Sequence, residues 1–341
     1  MAEVGFFALK ALVVILGIGS LILLVAVLAA RASHKPLLSV EPLHEKFEDL
    51  HFFLKSYTAT KEELKEEKKK KKAEAKEKEK NKHNKTQPDE KRIFVIGFEG
   101  DIHASAVENL REEVTAALSV ATAKDEVVVK VESPGGVVHS YGLAASQLLR
   151  IRERGIPLTV CVDEIAASGG YLMACVANQI IAAPFAILGS IGVVAQVPNF
   201  NKVLKKYDVD YKEYTAGEYK RTVSLLGEIT PKGEAKFLEQ LESTHFLFKK
   251  FVGQNRPQLD LAKVATGEYW YGTEAKDLGL IDKIQTSDDY LLTSAQKDLA
   301  IYELKYEHKH TLQEKLSQVL GDSASKAFTK LYESLSRQNL F

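Results

Sequence analysis

A chain of 341 residues with 45% apolar side chains is long enough to bury one sizeable core with appendages, and its composition excludes a wholly disordered or fibrous protein. Its 46 basic and 46 acidic residues cancel, yet residues 61–92 hold 14 Lys/Arg against 9 Asp/Glu, leaving the remainder net acidic, which argues against a nucleic-acid-binding core. The two cysteines, Cys161 and Cys175, both stand in apolar surroundings and supply neither a disulfide framework nor a cysteine metal site.

The first element in chain order is an uncharged apolar run from Ala11 to Ala30, continued back to Val4 apart from Lys10. Twenty such residues span the hydrocarbon of a bilayer at about 1.5 Å per residue. The run exceeds the ~7–15 residues of a signal-peptide core and its basic flank is weak, so residues 1–35 read as an uncleaved transmembrane anchor, although Ala29-Ala30-Arg31-Ala32-Ser33 imitates a cleavage site. Lys10 and the terminal amine nearly balance Arg31 and Lys35, so charge counting leaves the topology open.

Residues 36–60 are amphipathic. Leu43, Phe47, Leu50 and Leu54, spaced three or four apart, predict a helix that lies on the membrane or covers the core. Residues 61–92, nearly all Lys and Glu, read as a solvated linker. From Ile93 short apolar runs alternate with helical spacing: strands at 93–98, 126–131, 158–162 and 179–183, helices at 104–123 and 140–153. That alternation predicts an α/β domain with parallel strands and crossover helices, over residues 93–300. Asp210–Tyr214 reads as a further strand and 231–256 as a long helix. Residues 301–341 read as a C-terminal strand and an amphipathic helix.

Two turns carry candidate chemistry. The strand 126–131 runs into Ser133-Pro134-Gly135-Gly136, where proline fixes a torsion and the glycines let backbone N–H groups approach a ligand; alone, this is an ordinary tight turn. The strand 158–162 leads to Ala166-Ala167-Ser168-Gly169-Gly170, placing Ser168 at a strand-to-helix elbow with room around it for a substrate carbonyl. Its plain alternative is a helix N-cap. Of the nine histidines only His103 and His139 fall between Ile93 and Ser168, and neither is an obvious base. A lysine serves instead when its surroundings leave it neutral, and Lys220, after the turn Thr215-Ala216-Gly217, is a candidate.

Ser-Pro-Gly-Gly, Ala-Ser-Gly-Gly-Tyr, Gly189-Ser190-Ile191-Gly192-Val193 and Tyr219-Lys220 occur in that order, followed by Trp270-Tyr271-Gly272-Thr273 and Gly279-Leu280-Ile281-Asp282. Over about residues 93–285 the chain thereby resembles the signal peptide peptidase A family of serine peptidases, in its SohB branch. The resemblance implies a Clp protease/crotonase-like spiral of β-β-α units and a membrane-anchored serine endopeptidase acting through an acyl-enzyme. By position, Ser168 is then the nucleophile, Lys220 the general base, Ser190 the residue that positions the lysine amine, and Gly135, with Gly136 second, the oxyanion-hole donor. It implies no cofactor and no metal, a peptide or protein substrate such as a signal-peptide remnant, a homo-oligomer, and a bacterial inner-membrane location with the domain in the periplasm. Arg221 stands where relatives often carry an acidic residue. The rival readings are a non-catalytic membrane scaffold and a crotonase-like acyl-CoA enzyme; the latter has no use for a Ser/Lys pair.

Overall fold

The computed structural model describes residues 38–66 and 91–307, with Gly17 and Lys69 as isolated positions. The expected anchor over 1–35, most of the Lys/Glu stretch and the amphipathic helix after residue 307 lie outside the described residues. Among those described, no helix is long and apolar enough to cross a membrane. The chain divides into two compact units, 40–306 and the terminal pieces 1–39 with 307–341. The first contains the α/β fold.

Its larger sheet has seven strands in the order β1 (Leu38–Pro42), β10 (Ala300–Tyr306), β2 (Arg92–Glu99), β3 (Glu126–Glu132), β4 (Leu158–Val162), β6 (Gln179–Ala182) and β9 (Lys283–Ile284). The pairings from β10 to β9 are all parallel. Parallel strands covered on both faces need near-continuous apolar runs, and β2, β3 and β4 supply them: Ile93, Val95, Ile96, Val127, Val128, Val129, Leu158 and Val160 are fully buried. The helices α2 (Val107–Val120) and α3 (Val138–Glu153) are the crossovers, and α2 packs on β2 and β10.

The other face of the sheet is covered by α1 (Leu43–Thr58) and α9 (Ser287–Ala295). Leu43 and Leu291 join Ile93, Val95, Val128, Cys161, Ile181 and Ile301 in one buried cluster, with Phe47 packed against it. Of the two readings of the segment 36–60, its first half follows the one that covers the core, so the domain extends beyond the 93–300 expected for it. β1 and α1 belong to the fold, as does β10, and the Lys/Glu stretch falls in sequence between two elements of one domain. Cys161 and Cys175 are free and buried, and burial pushes both thiols far up.

A second, three-stranded sheet holds the site. It comprises β5 (Ile165–Ala167), β7 (Ile187–Gly189) and β8 (Tyr269–Tyr271), with β5 and β7 parallel and β8 antiparallel to β7. The remaining helices are α4 (Gly169–Ala174), α5 (Asn201–Lys206), α6 (Pro231–Asn255), α7 (Leu261–Val264) and α8 (Gly272–Asp277). The strand expected at Asp210–Tyr214 is not formed; those residues are irregular and mostly exposed. A strand needs a ladder, and Asp210–Tyr214 pairs with no strand of either sheet. Thr230 caps α6 by accepting from Gly233 N–H, with Pro231 in the first turn.

Candidate active site

The two turns the sequence singles out meet where the large sheet adjoins the small one. Ser133, just past β3, pairs with Ala166 of β5 through an isolated parallel bridge. Ser133 N–H donates to Ile165 O at 2.8 Å, and Ala167 N–H donates to Ser133 O at 3.0 Å. These bonds hold the Ser-Pro-Gly-Gly turn against the start of α4. The fit is close enough to require glycine: a Cβ on Gly135 would lie 2.6 Å from Gly169 N and 2.7 Å from Ser168 Cβ, and Gly135 adopts φ +89°. A Cβ on Gly170 would lie 2.5 Å from Ser133 O. The two motifs nest because neither has side chains where they meet.

Ser168 has φ +50° and ψ −115°, a region that L-residues rarely occupy. A non-glycine residue held there between a strand and a helix is stored strain, and it thrusts the side chain out of the turn. Its hydroxyl makes no cap to α4, so the N-cap reading fails on geometry. The elbow is fixed from the next strand: Ala167 is in register with Gly189, and Ser168 N–H donates to Gly189 O at 2.8 Å. Ser190 follows Gly189 as Ser168 follows Ala167, so the two serines sit beside each other at the ends of paired strands. Ser190 also has positive φ, +51°, and its N–H donates to Glu268 O at 2.7 Å.

Gly135, Gly136, Ser168 and Ser190 line one open cleft of ≈670 Å³, together with His245 and Thr266. A second cavity of ≈180 Å³ opens beside Ser168 and is apolar, walled by Val138, Leu172, Val193, Leu247 and Phe248. The Gly135 N–H donates to Ser133 Oγ at 3.1 Å. Ser133 Oγ lies 2.5 Å from Tyr141 Oη, and Tyr141 Oη donates to Asp101 O at 2.7 Å. Since the phenol has one proton and gives it to Asp101, the serine hydroxyl donates to the phenol and accepts from Gly135. Ser133 and Tyr141 are both fully buried, so this chain fixes the first glycine of the turn. Gly136 and Gly169 have no protein acceptor for their N–H groups among the described residues, and both line the cavity at Ser168.

Lys220 stands apart from this group. It is exposed, its N–H donates to Gly217 O at 3.1 Å, and it lines neither cavity at Ser168. Its neighbours form surface pairs, Glu218 with Lys232 at 2.5 Å and Arg221 with Glu213 at 2.8 Å. The structure thus brings four of the five expected residues together and leaves the fifth on the segment outside.

His245 is the residue that sequence reading passes over. It projects from α6 into the cleft, with Nε2 3.1 Å from Ile191 O. The signal was present in the spacing of Thr244, Leu247, Phe248 and Phe251, which face the apolar cavity from one side of α6.

Two family models match the chain: the N-terminal model of peptidase family S49 over residues 1–148 and the peptidase family S49 model over residues 150–301. A probable protease SohB of Haemophilus influenzae is 47% identical over 99% of this chain and 98% of that protein. A probable protease SohB of Buchnera aphidicola subsp. Schlechtendalia chinensis is 56% identical over 59% of this chain and 66% of that protein. Among solved structures, a lysine variant of the membrane-bound stomatin-specific protease 1510-N with a substrate peptide matches at 14% identity and a TM-score of 0.42, covering 69% of this chain and 100% of that one.

Proposed function

The chain belongs to peptidase family S49 and is a serine-type peptidase, and from that premise we propose that it is a membrane-anchored endopeptidase whose nucleophile is Ser168. The observation that carries the reading is the strained elbow at Ser168, set against two glycine turns in a cleft open to an extended peptide. Family membership sets aside the crotonase-like acyl-CoA reading, while the spiral of β-β-α units remains the finer description proposed for the α/β fold.

In the proposed reaction Ser168 Oγ attacks the scissile carbonyl carbon as its proton passes to the neutral Lys220 amine. The carbonyl π electrons move to oxygen, and the backbone N–H of Gly136 stabilises the oxyanion; Gly135, the first donor by resemblance, serves only if it gives up its bond to Ser133 Oγ. Gly169, at the start of α4, is placed to add a second donor. Collapse breaks the C–N bond, the lysine gives its proton to the leaving amine, and water hydrolyses the acyl-enzyme by the reverse sequence. Ser190 positions the amine. This role requires the segment after Gly192 to carry Lys220 to the cleft, since in this structure it lies outside.

The apolar cavity beside Ser168 suits small or medium apolar substrate side chains, as in signal-peptide remnants. The proposed setting is a bacterial inner membrane with the domain in the periplasm, and a homo-oligomer; the reaction calls for no cofactor. The test is hydrolysis of short apolar peptides by Ser168→Ala, Lys220→Ala and the double variant. Residues of one proton-transfer unit lose activity non-additively, so the double variant is expected to be no worse than either single one. Lys220→Arg is expected to fail as well, because a guanidinium does not deprotonate. Full activity in Lys220→Ala removes the lysine from the mechanism; activity in Ser168→Ala removes the whole reading.

A further inference from the structure

The apolar stripe of α1 is longer than the core it covers. Leu43 is buried and Phe47 packs against the same cluster, but one and two turns later the stripe continues into solvent. Leu50, Phe53, Leu54 and Tyr57 are 52%, 60%, 63% and 78% exposed. At spacings of three, four and seven they share one helix face. Glu48 falls on the opposite face, while Glu45 and Asp49 flank the stripe beside Leu50 and Phe53. The second half of α1 therefore overhangs the domain with an apolar side that no part of the catalytic cleft uses.

We propose that this overhanging face of α1 rests on the lipid bilayer, with Leu50, Phe53, Leu54 and Tyr57 inserted at headgroup level. The proposal rests on reading Ala11–Ala30 as a membrane span. Two observations favour lipid over a protein partner. The first is chain length: only residues 31–37 separate the apolar run from β1, a stretch that reaches at most ~25 Å when fully extended. β1 and α1 follow inside the folded domain and add no slack, so a span ending at Ala30 holds the domain near the surface. The second is charge. Arg31 and Lys35 precede the helix, and the run Lys68–Lys72 follows it beyond a short stretch, 61–67, in which four Glu outnumber two Lys, so cation clusters suited to anionic headgroups lie on both sides of the helix in sequence. Phe53 and Tyr57, edge to face at 5.4 Å, are the aromatic types that favour a membrane interface.

The test uses the full chain reconstituted in vesicles of phosphatidylethanolamine and phosphatidylglycerol. Leu54→Cys carries an environment-sensitive fluorophore, with Ser20→Cys and Asp277→Cys as references. The native thiols are buried and stay unlabelled in the folded protein. The label at 54 is expected to shift to the blue and to be quenched by lipids brominated near the headgroup, as the label at 20 is by lipids brominated deep in the chains, while the label at 277 stays in water. A label at 54 in water beside a buried label at 20 overturns the docking and leaves the span standing. Labels in water at both positions overturn the span, and the docking with it. Disulfide-linked dimers of the unlabelled Leu54→Cys chain, in place of quenching, assign the face to a second copy and overturn the lipid reading. As a functional arm, Phe53→Gln/Leu54→Gln is expected to keep its turnover of soluble peptides and to lose roughly ten-fold on a peptide embedded in the same vesicles. Equal turnover of both substrates contradicts the proposal.

Discussion

Glu113 is a carboxylate placed inside an apolar stripe. It lies on α2 between Leu110 and Val114, is 5% exposed, and accepts Tyr306 N–H on Oε1 at 2.8 Å while Oε2 has no partner among the described residues. Burial, with the nearby Glu303 carboxylate, pushes its pKa up to about 7. The native state therefore binds more protons than the unfolded chain between about pH 4.5 and 7, and this residue's contribution to stability, present at low pH, is lost as pH rises through that window. Glu113→Gln keeps the acceptor for Tyr306 and removes the charge. It is expected to be more stable than the parent at about pH 8, by roughly 2–3 kcal/mol, and equal to it near pH 4.5. Denaturant midpoints at the two pH values check this; a parent and variant that track each other across the window would place the proton elsewhere. Nothing in the sequence marks Glu113, because its helical position is that of a core residue and only the structure shows how little room it has.

The turns that build the site were legible as elements, since Pro-Gly-Gly and Ser-Gly-Gly announce places where backbone must meet backbone. Their mutual fit was not, because it depends on the bridge from Ser133 to Ala166, between residues 33 positions apart. Gly135→Ala is expected to fail through overlap with Gly169 and Ser168, and it leaves the turn's role untested. Tyr141→Phe is the sharper probe. Removing the phenol hydroxyl leaves the Ser133 O–H without its acceptor and frees the oxygen that holds Gly135. If this chain orients the oxyanion turn, kcat is expected to fall by about ten-fold with little change in KM. A rise in KM at constant kcat would make Tyr141 only a wall of the apolar cavity. The segment at Asp210–Tyr214 shows the opposite failure: it reads as a strand in the sequence, but pairing decides whether one forms, and it joins neither sheet.

On the scale of the whole molecule, the sequence announces the parallel α/β core from Ile93 onward because buried strands need unbroken apolar runs. It does not announce that the sheet reaches back across the Lys/Glu stretch to Leu38. Leu43 and Phe47 look the same whether they cover a core or lie on lipid, and the structure divides the stripe between covering and exposure. Deleting residues 38–58 exposes Ile93, Val95 and Ile301, so a truncated chain starting near Lys91 is expected to be poorly soluble or to melt well below the full chain. A truncation that melts with the full chain would show that α1 adds nothing to the fold. The central claim is that one serine, held in a strained turn, is the nucleophile of this peptidase. Incubating the full chain with a fluorophosphonate, digesting it and mapping the adduct measures this directly. The adduct is predicted on the peptide containing Ser168, absent from Ser168→Ala; an adduct on another serine, or labelling of Ser168→Ala equal to that of the parent, contradicts the account.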